Sequence, residues 1–191
     1  MSWTRAAFFL SCLGALTWLL AGCITADRIT FRLEIKESRQ GRFTFVACGL
    51  HSSERNPEER KKEFRDFVRT GYLEQGARLA RTLGLQNPKI ELFNKAEAKT
   101  DGRVSGNFEN ALMVLASFTE DGNFQIQRTG DRLSVELYKD RTETGRVTIQ
   151  IRYAGKIISH NAHRYDAEAH LMEWDLERLE KRGLYFVLEN L

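Results

Sequence analysis

Apolar and polar residues alternate along several stretches of the chain with the period of half-buried β-strands. The first stretch has an apolar residue at every second position: Ile29, Phe31, Leu33 and Ile35. Gln40-Gly41 interrupts the alternation, which resumes over residues 43–47. Two alternating stretches separated by a short break predict an opening β-hairpin.

The next segment carries the signals that begin, sustain and end an α-helix. Asn56-Pro57 combines an N-cap residue with a proline suited to the first helical position. Apolar residues then recur near one face: Phe64, Val68, Tyr72, Leu79 and Leu83. Gly84 is placed to end the helix. We therefore predict a helix over residues 57–83. The alternative is a break at Gly71 or Gly76, since each glycine weakens a helix by up to ~1 kcal/mol.

The second half of the chain is mainly β in its pattern. The predicted elements are a strand at Ile90 and Leu92, a short helix from Asn107 to Ala116, and strands at 124–126, 133–137, 147–153, 172–176 and 184–188. A turn at Thr129-Gly130-Asp131 joins the first two of the later strands, and the last two form a hairpin. No element is assigned to residues 95–106. The whole pattern predicts an α+β fold, with a largely antiparallel sheet covered on one face by one long helix, intact or broken, and one short helix.

The N-terminal residues have the layout of a signal peptide. Met1 to Arg5 is short, polar and positively charged, and Ala6 to Leu20 carries no charge. A membrane-spanning helix needs about 20 apolar residues, and this run is shorter. It ends in the small pair Ala21-Gly22, which favours cleavage over a permanent span.

The four residues Leu20, Ala21, Gly22 and Cys23 resemble the lipobox of bacterial lipoproteins. The resemblance implies a diacylglyceryl group on the Cys23 thiol and cleavage between Gly22 and Cys23. Residues 1–22 are then a cleaved signal peptide, and residues 23–191 form a single α+β envelope domain. Two or three acyl chains anchor a protein stably, because each buried CH₂ contributes about 0.8 kcal/mol. The alternative is an ordinary cleaved signal peptide followed by an accidental cysteine.

The residue after the predicted lipidated cysteine bears on location. An aspartate there is the inner-membrane retention signal of enteric-type bacteria, and this chain has Ile24. We therefore expect an outer-membrane lipoprotein that faces the periplasm in a two-membrane organism. In a one-membrane organism it faces outward from the plasma membrane.

Charge and cysteine content narrow the classes further. The chain has 29 Lys+Arg and 26 Asp+Glu, interspersed and without a basic, aromatic-rich run, so nucleic acid is not an expected partner. Cys12 leaves with the signal peptide and Cys23 carries lipid, so Cys48 has no intramolecular disulfide partner. Cys48 lies in an apolar run and is interpreted as a buried small hydrophobe.

The C-terminal strands carry a second resemblance. The segments Ala154–Ala162, Glu173–Leu176 and Leu184–Leu188 are similar to the closing strands of LppM-like and related uncharacterised bacterial lipoproteins. Ala154 replaces the proline that often precedes the glycine in that group. The resemblance implies an α+β fold and, for one branch of the group, binding of envelope lipids. It brings no catalytic residue.

Three of the four histidines lie close together with two carboxylates: His160, His163, Asp166, Glu168 and His170. These side chains are usual metal ligands, and His160, His163 and His170 are the candidates if the segment binds a metal. The spacing matches no strong metal motif, so we interpret the segment as an exposed polar connection and predict no metal and no cofactor. Trp174 alternates with Met172 and Leu176 and is interpreted as a core residue.

Three function classes remain. The favoured one is a non-enzymatic envelope lipoprotein that binds a partner protein or contributes to envelope assembly. The second is a carrier of lipid or another apolar ligand. The third is a metal-dependent hydrolase built on the histidine segment. The chain has no Gly-x-Ser-x-Gly elbow, phosphate loop or zincin motif, so we expect no enzyme.

Overall fold

The computed structural model describes residues 24–117, 124–137, 146–179 and 183–191. The predicted signal peptide, its lipobox residues Leu20 to Gly22 and the predicted lipidation site Cys23 lie outside these ranges. Within them, no helix is long and apolar enough to cross a membrane.

The described residues form twelve strands and three α-helices, with two irregular helical segments. The strands are β1 (Ile24–Thr25), β2 (Arg28–Ile35), β3 (Gly41–Ser52), β4 (Gln86–Phe93), β5 (Thr100–Phe108), β6 (Phe124–Thr129), β7 (Arg132–Leu137), β8 (Arg146–Tyr153), β9 (Ile157–His160), β10 (Arg164–Asp166), β11 (Leu171–Asp175) and β12 (Leu184–Glu189). The helices are α1 (Pro57–Asp66), α2 (Tyr72–Thr82) and α3 (Ala111–Ala116). A π-helical segment, Phe67–Gly71, joins α1 to α2, and a 3₁₀ turn, Leu176–Arg178, follows β11.

The strands form two sheets. The large sheet has the order β10-β11-β8-β2-β3-β5-β4, with β1 paired to the end of β3. Its neighbours are antiparallel except β2 and β8, which run parallel. The small sheet has the order β6-β7-β12-β9 and is antiparallel throughout. The α+β class and the largely antiparallel sheet with its helical layer are confirmed.

Strict alternation gives the large sheet one apolar face and one polar face. On β2 the apolar face consists of Ile29, Phe31, Leu33 and Ile35, all buried, as the sequence pattern predicts. Helices α1 and α2 pack on the β3, β4 and β5 part of this face. The small sheet meets the β11 part, where the rings of Trp174 and Phe186 lie 5.7 Å apart. The core therefore lies on one side of the large sheet only.

The helix begins and ends as the sequence predicts. The Asn56 side chain accepts hydrogen bonds from the backbone of Glu58 and Glu59. At the other end Gly84 has a φ of +60°, and the Leu85 N–H donates to the Ala80 carbonyl at 2.8 Å, which is a Schellman cap. The expected weakness in the middle is the π-helical segment, which ends at Gly71.

Two predictions about the later elements are wrong. Strands 172–176 and 184–188 are not a hairpin, because β11 pairs with β8 and β10 while β12 pairs with β7 and β9. The short helix begins at Ala111, capped by Asn110, and residues 107–108 belong to β5. That strand also occupies most of the unassigned segment 95–106.

Candidate functional site

An open cavity of about 790 Å³ lies at the end of the large sheet where β2 turns into β3. Its floor is a row of polar residues on the solvent-facing side of the sheet. Each is paired directly with the next across neighbouring strands, in the order Gln86, Asn107, Arg42, Glu34 and Arg152. Five strands thus contribute one side chain each to a single cross-strand row.

The walls come from the connections at this end of the sheet. They include Lys36, Gln40, Phe108, Glu109, Tyr153, Glu168 and His170. The Asp166 carboxylate accepts hydrogen bonds from the backbone of Glu168 and Ala169, both at 3.0 Å, which fixes the turn before β11. The floor of the site is therefore formed by the sheet, and its walls are formed by the strand ends and the connections between strands.

His170 closes one side of the cavity in a left-handed backbone conformation, with a φ of +49°. Its Nδ1 lies 3.2 Å from the carbonyl oxygens of both Tyr153 and Gly155. Because carbonyl oxygens only accept, Nδ1 carries the hydrogen and Nε2 is the nitrogen left for other contacts. His170 thus ties the β8–β9 connection to the β10–β11 turn.

The charges of the lining balance in number. Three are cations and three are anions: Lys36, Arg42 and Arg152, and Glu34, Glu109 and Glu168. Glu34 Oε1 lies 2.9 Å from Nε of Arg32, a neighbour outside the lining. Glu109 Oε1 accepts a hydrogen bond from Gln86 at 2.7 Å. Two of the three carboxylates are therefore already engaged.

With the described residues, the cations of the lining form fewer hydrogen bonds and ion pairs than its carboxylates do. Arg152 Nε donates to the Ala169 carbonyl at 3.0 Å, and its two terminal nitrogens form no further bond with a described residue. Among the described residues, none forms a hydrogen bond or ion pair with the side chain of Arg42 or Lys36. The cavity accordingly presents free positive groups to solvent.

Tyr153 lines the cavity without being a reactive group. Burial, reinforced by the nearby Glu37 carboxylate, raises the pKa of the Tyr153 phenol, so it stays protonated at neutral pH. Its hydroxyl donates to the Glu189 carbonyl at 2.6 Å. It links the large sheet to the last strand of the small sheet.

The predicted histidine candidates do not converge. His160 lies on β9 in the small sheet, where its Nδ1 accepts from the Ala162 backbone at 3.2 Å and its ring lies 4.5 Å from that of Tyr165. His163 Nδ1 accepts from the Asp175 backbone at 3.0 Å. In both neutral rings the only free lone pair is therefore used, and a metal would have to displace these bonds.

In the part of the chain that the structure describes, no three His, Cys, Asp or Glu side chains are grouped to hold a metal ion. Of the residues in the predicted cluster, His170 and Glu168 line the cavity. Burial lowers the pKa of His160, so this ring is held neutral.

Two further interpretations from the sequence have different outcomes. Trp174 is fully buried, which confirms it as a core residue. Cys48 is half-buried on the solvent side of the large sheet, so its interpretation as a core residue is wrong. Its Sγ lies 3.9 Å from Nη2 of Arg28, its partner across the strands.

The cavity lies at the opposite end of the large sheet from the first described residue. Ile24 is 2% exposed and pairs with Ser52. At the other end, Ile35 pairs with Gly41 in the cavity lining. Residues 41 and 52 are joined by a single strand, β3, so the two ends are about 35 Å apart at the usual rise of a strand.

Comparison with known proteins gives one structural similarity. No protein-family profile matches the sequence, and no curated protein matches it. The structure is similar to the NMR structure of the folded domain of LppM from Mycobacterium tuberculosis, with a TM-score of 0.46 and 12% sequence identity, covering 87% of this chain and 88% of that chain. This similarity assigns neither a family nor a function to the chain.

Proposed function

We propose that this chain is a lipid-anchored binding protein of the bacterial cell envelope, without catalytic activity, that holds its polar cavity away from its own membrane. The observation that carries the proposal is the position of Ile24. It is buried and paired with Ser52 at one end of the large sheet, while the cavity lies at the other end.

Lipid on Cys23 would sit very close to the fold. Consecutive Cα atoms are about 3.8 Å apart, and Cys23 directly precedes Ile24, a residue that is already paired in the sheet. No residue intervenes between the proposed lipidation site and the first strand. The Ile24 end is then held at the bilayer surface, and the cavity opens into the aqueous space about 35 Å away.

The lining favours a polar ligand over an apolar one. A row of charged and amide side chains forms the floor, and the side chains of Lys36 and Arg42 in the lining have no bonding partner among the described residues. Burying acyl chains there would remove these groups from water without replacing their hydrogen bonds. For this reason we place a carrier of apolar ligand second, and a hydrolase third.

Lipidation is tested on the full-length chain expressed in a two-membrane bacterium and extracted in detergent. We expect an intact mass that corresponds to cleavage before Cys23 plus diacylglyceryl and amide-linked acyl groups. The matched control is Cys23→Ala, which should lose the lipid mass, while Cys48→Ala should keep it. A wild-type chain without lipid mass would overturn the anchor.

Orientation is tested with the lipidated protein in vesicles, carrying Cys48→Ser and one added cysteine for a fluorophore. Lys95→Cys lies at the Ile24 end, in the connection that leads to Thr100, the partner of Leu50. Glu168→Cys lies in the cavity wall. We expect stronger energy transfer to an acceptor lipid from position 95 than from position 168. Equal or reversed transfer would contradict a cavity that faces away from the bilayer.

A further inference from the structure

We propose that the cavity binds the oxyanion of a small soluble molecule, a phosphate or carboxylate group, between Arg42 and Arg152. This inference rests on the proposed function, because it names the ligand of the same outward-facing cavity. It comes from the cross-strand row in the floor, in which the two arginines flank Glu34 on either side.

The spacing suits a shared anion. Glu34 on β2 is paired directly with Arg42 on β3 and with Arg152 on β8. Neighbouring strands lie about 4.8 Å apart, so the two arginine Cα atoms are separated by about 10 Å across the row. Two long side chains on the same face at that distance can approach one anion from both sides, each with a bidentate pair of donors.

The carboxylate between the arginines does not occupy them. Glu34 pairs with Arg32 on its own strand at 2.9 Å. Arg152 is oriented by the bond from Nε to the Ala169 carbonyl, which leaves both terminal nitrogens for a ligand. The Arg42 guanidinium has no bonding partner among the described residues. The Arg152 donors are thus positioned, which lowers the cost of ordering them on binding, and the Arg42 donors are available to a ligand.

The rest of the lining limits the ligand. Lys36 and Asn107 add donors close to the arginines, whereas Glu109 and Glu168 add negative charge to the walls. A highly charged polyanion would meet these carboxylates, and like charges oppose binding. A small ligand with one oxyanion group avoids this conflict. Glu168, whose carboxylate has no partner among the described residues, can face a neutral or cationic part of the same molecule.

The experiment uses the lipidated full-length product in nanodiscs of phosphatidylcholine, titrated calorimetrically with inorganic phosphate and, separately, with succinate. Arg42→Gln and Arg152→Gln remove one guanidinium each. The matched control is Arg103→Gln, a cation on the same face that pairs with Glu91 and lies outside the lining. We expect saturable binding of at least one anion, weakened about tenfold or more by either cavity variant and unchanged in the control.

Three results would overturn the inference. One is no saturable binding of any kind, and another is an equal loss in Arg103→Gln, which would indicate a general effect of net charge. Binding to phosphatidylglycerol vesicles without binding to either soluble anion would also overturn it, because the ligand would then be a lipid headgroup. Circular dichroism checks that each variant is folded. Arg42→Lys keeps the positive charge and removes the guanidinium, so weaker binding by this folded variant would reflect a lost ligand contact and not a loss of structure.

Failure of this inference is distinguishable from failure of the proposed function. The lipid mass and the energy transfer from positions 95 and 168 are measured on the same preparation. If the domain is lipidated, its cavity faces outward and it binds neither anion, the oxyanion inference is wrong. The proposal of an anchored binding protein is then unaffected.

Discussion

Trp174 donates its indole N–H to Oδ1 of Asn161 at 2.8 Å, and this bond joins the two sheets. Trp174 lies on β11 of the large sheet and is fully buried. Asn161 follows β9 of the small sheet, where the same Oδ1 accepts from the Tyr185 backbone and Nδ2 donates to the Gly183 carbonyl at 2.7 Å. One amide therefore satisfies the polar atom of the buried indole and fixes the start of β12.

Replacing this amide should be costly. Asn161→Ala removes three hydrogen bonds and leaves a buried indole N–H without a partner, so we expect the free energy of unfolding to fall by about 2–4 kcal/mol. Asn161→Asp keeps the acceptor and loses the donor to Gly183, so its free energy of unfolding should lie between those of wild type and Asn161→Ala. Urea denaturation measures the change. Asn107→Ala, whose amide forms no bond with a described residue, is the control, and similar losses at both positions would contradict the assignment.

The pattern of apolar residues predicts well which face of a strand is buried, and poorly which strands pair with each other. Alternation identifies the buried face of β2 and the core position of Trp174, because burial follows from every second residue pointing inward. It does not say which strand lies beside which. The pairing of β8 with β2 and of β12 with β7 and β9 joins segments distant in sequence, and local patterns carry no information about that choice.

The sequence pattern does not indicate the cavity, for the same reason. Glu34, Arg42 and Arg152 occupy ordinary polar positions of alternating strands, and such positions usually face solvent without a role. Only the cross-strand register brings them into one row. The histidine segment has the composition of a metal site, yet the rings of His160 and His163 form local structural hydrogen bonds.

The two glycines within the helical layer should respond oppositely to alanine, although helix propensity alone predicts a gain at both. A Cβ at Gly71 would meet nothing closer than a Phe67 ring atom at 3.4 Å, so Gly71→Ala should raise the free energy of unfolding by about 0.5–1 kcal/mol. A Cβ at Gly76 would lie 2.7 Å from Ile90 and 3.1 Å from Val104. Because these contacts are too close, we expect Gly76→Ala to lower the free energy of unfolding by about 1–3 kcal/mol.

Urea denaturation of both alanine variants, compared with wild type, measures these changes. A gain in stability at position 76 would show that the close approach of helix and sheet does not depend on this glycine. The pair is matched, because both glycines lie in the same helical layer and receive the same substitution.

Two buried tyrosines should respond oppositely to loss of the hydroxyl. The Tyr72 hydroxyl is buried with no hydrogen-bond partner among the described residues, and burial raises its pKa far above the usual range while Arg103 partly offsets this. Tyr72→Phe should leave the free energy of unfolding unchanged or raise it by up to about 2 kcal/mol. Tyr153→Phe loses the bond to Glu189 and should lower it by about 1 kcal/mol.

Thermal and urea unfolding of the two phenylalanine variants, measured side by side, provide the readout. A clear loss of stability in Tyr72→Phe would reveal a hydrogen bond that the described residues do not supply. Equal effects at both positions would contradict the difference in their environments.

Acid should destabilise the protein through His160. Burial lowers the pKa of this ring below the 6.5 of an exposed histidine, so the unfolded chain binds the proton more readily than the folded one. Neutral His160 therefore contributes fully to the free energy of unfolding above about pH 6.5. This contribution is lost as the pH falls from 6.5 through the lowered pKa of the folded protein. Protonation also converts Nδ1 from the acceptor of the Ala162 N–H into a donor, which breaks that bond.

Urea denaturation of wild type and His160→Asn at pH 7 and pH 5 tests this dependence. The Asn oxygen can accept from Ala162 where Nδ1 does, and it does not titrate. We expect the variant to lose less stability than wild type between the two pH values. Identical losses in both proteins would mean that burial of His160 does not oppose its protonation, and the acid sensitivity would have to come from other groups.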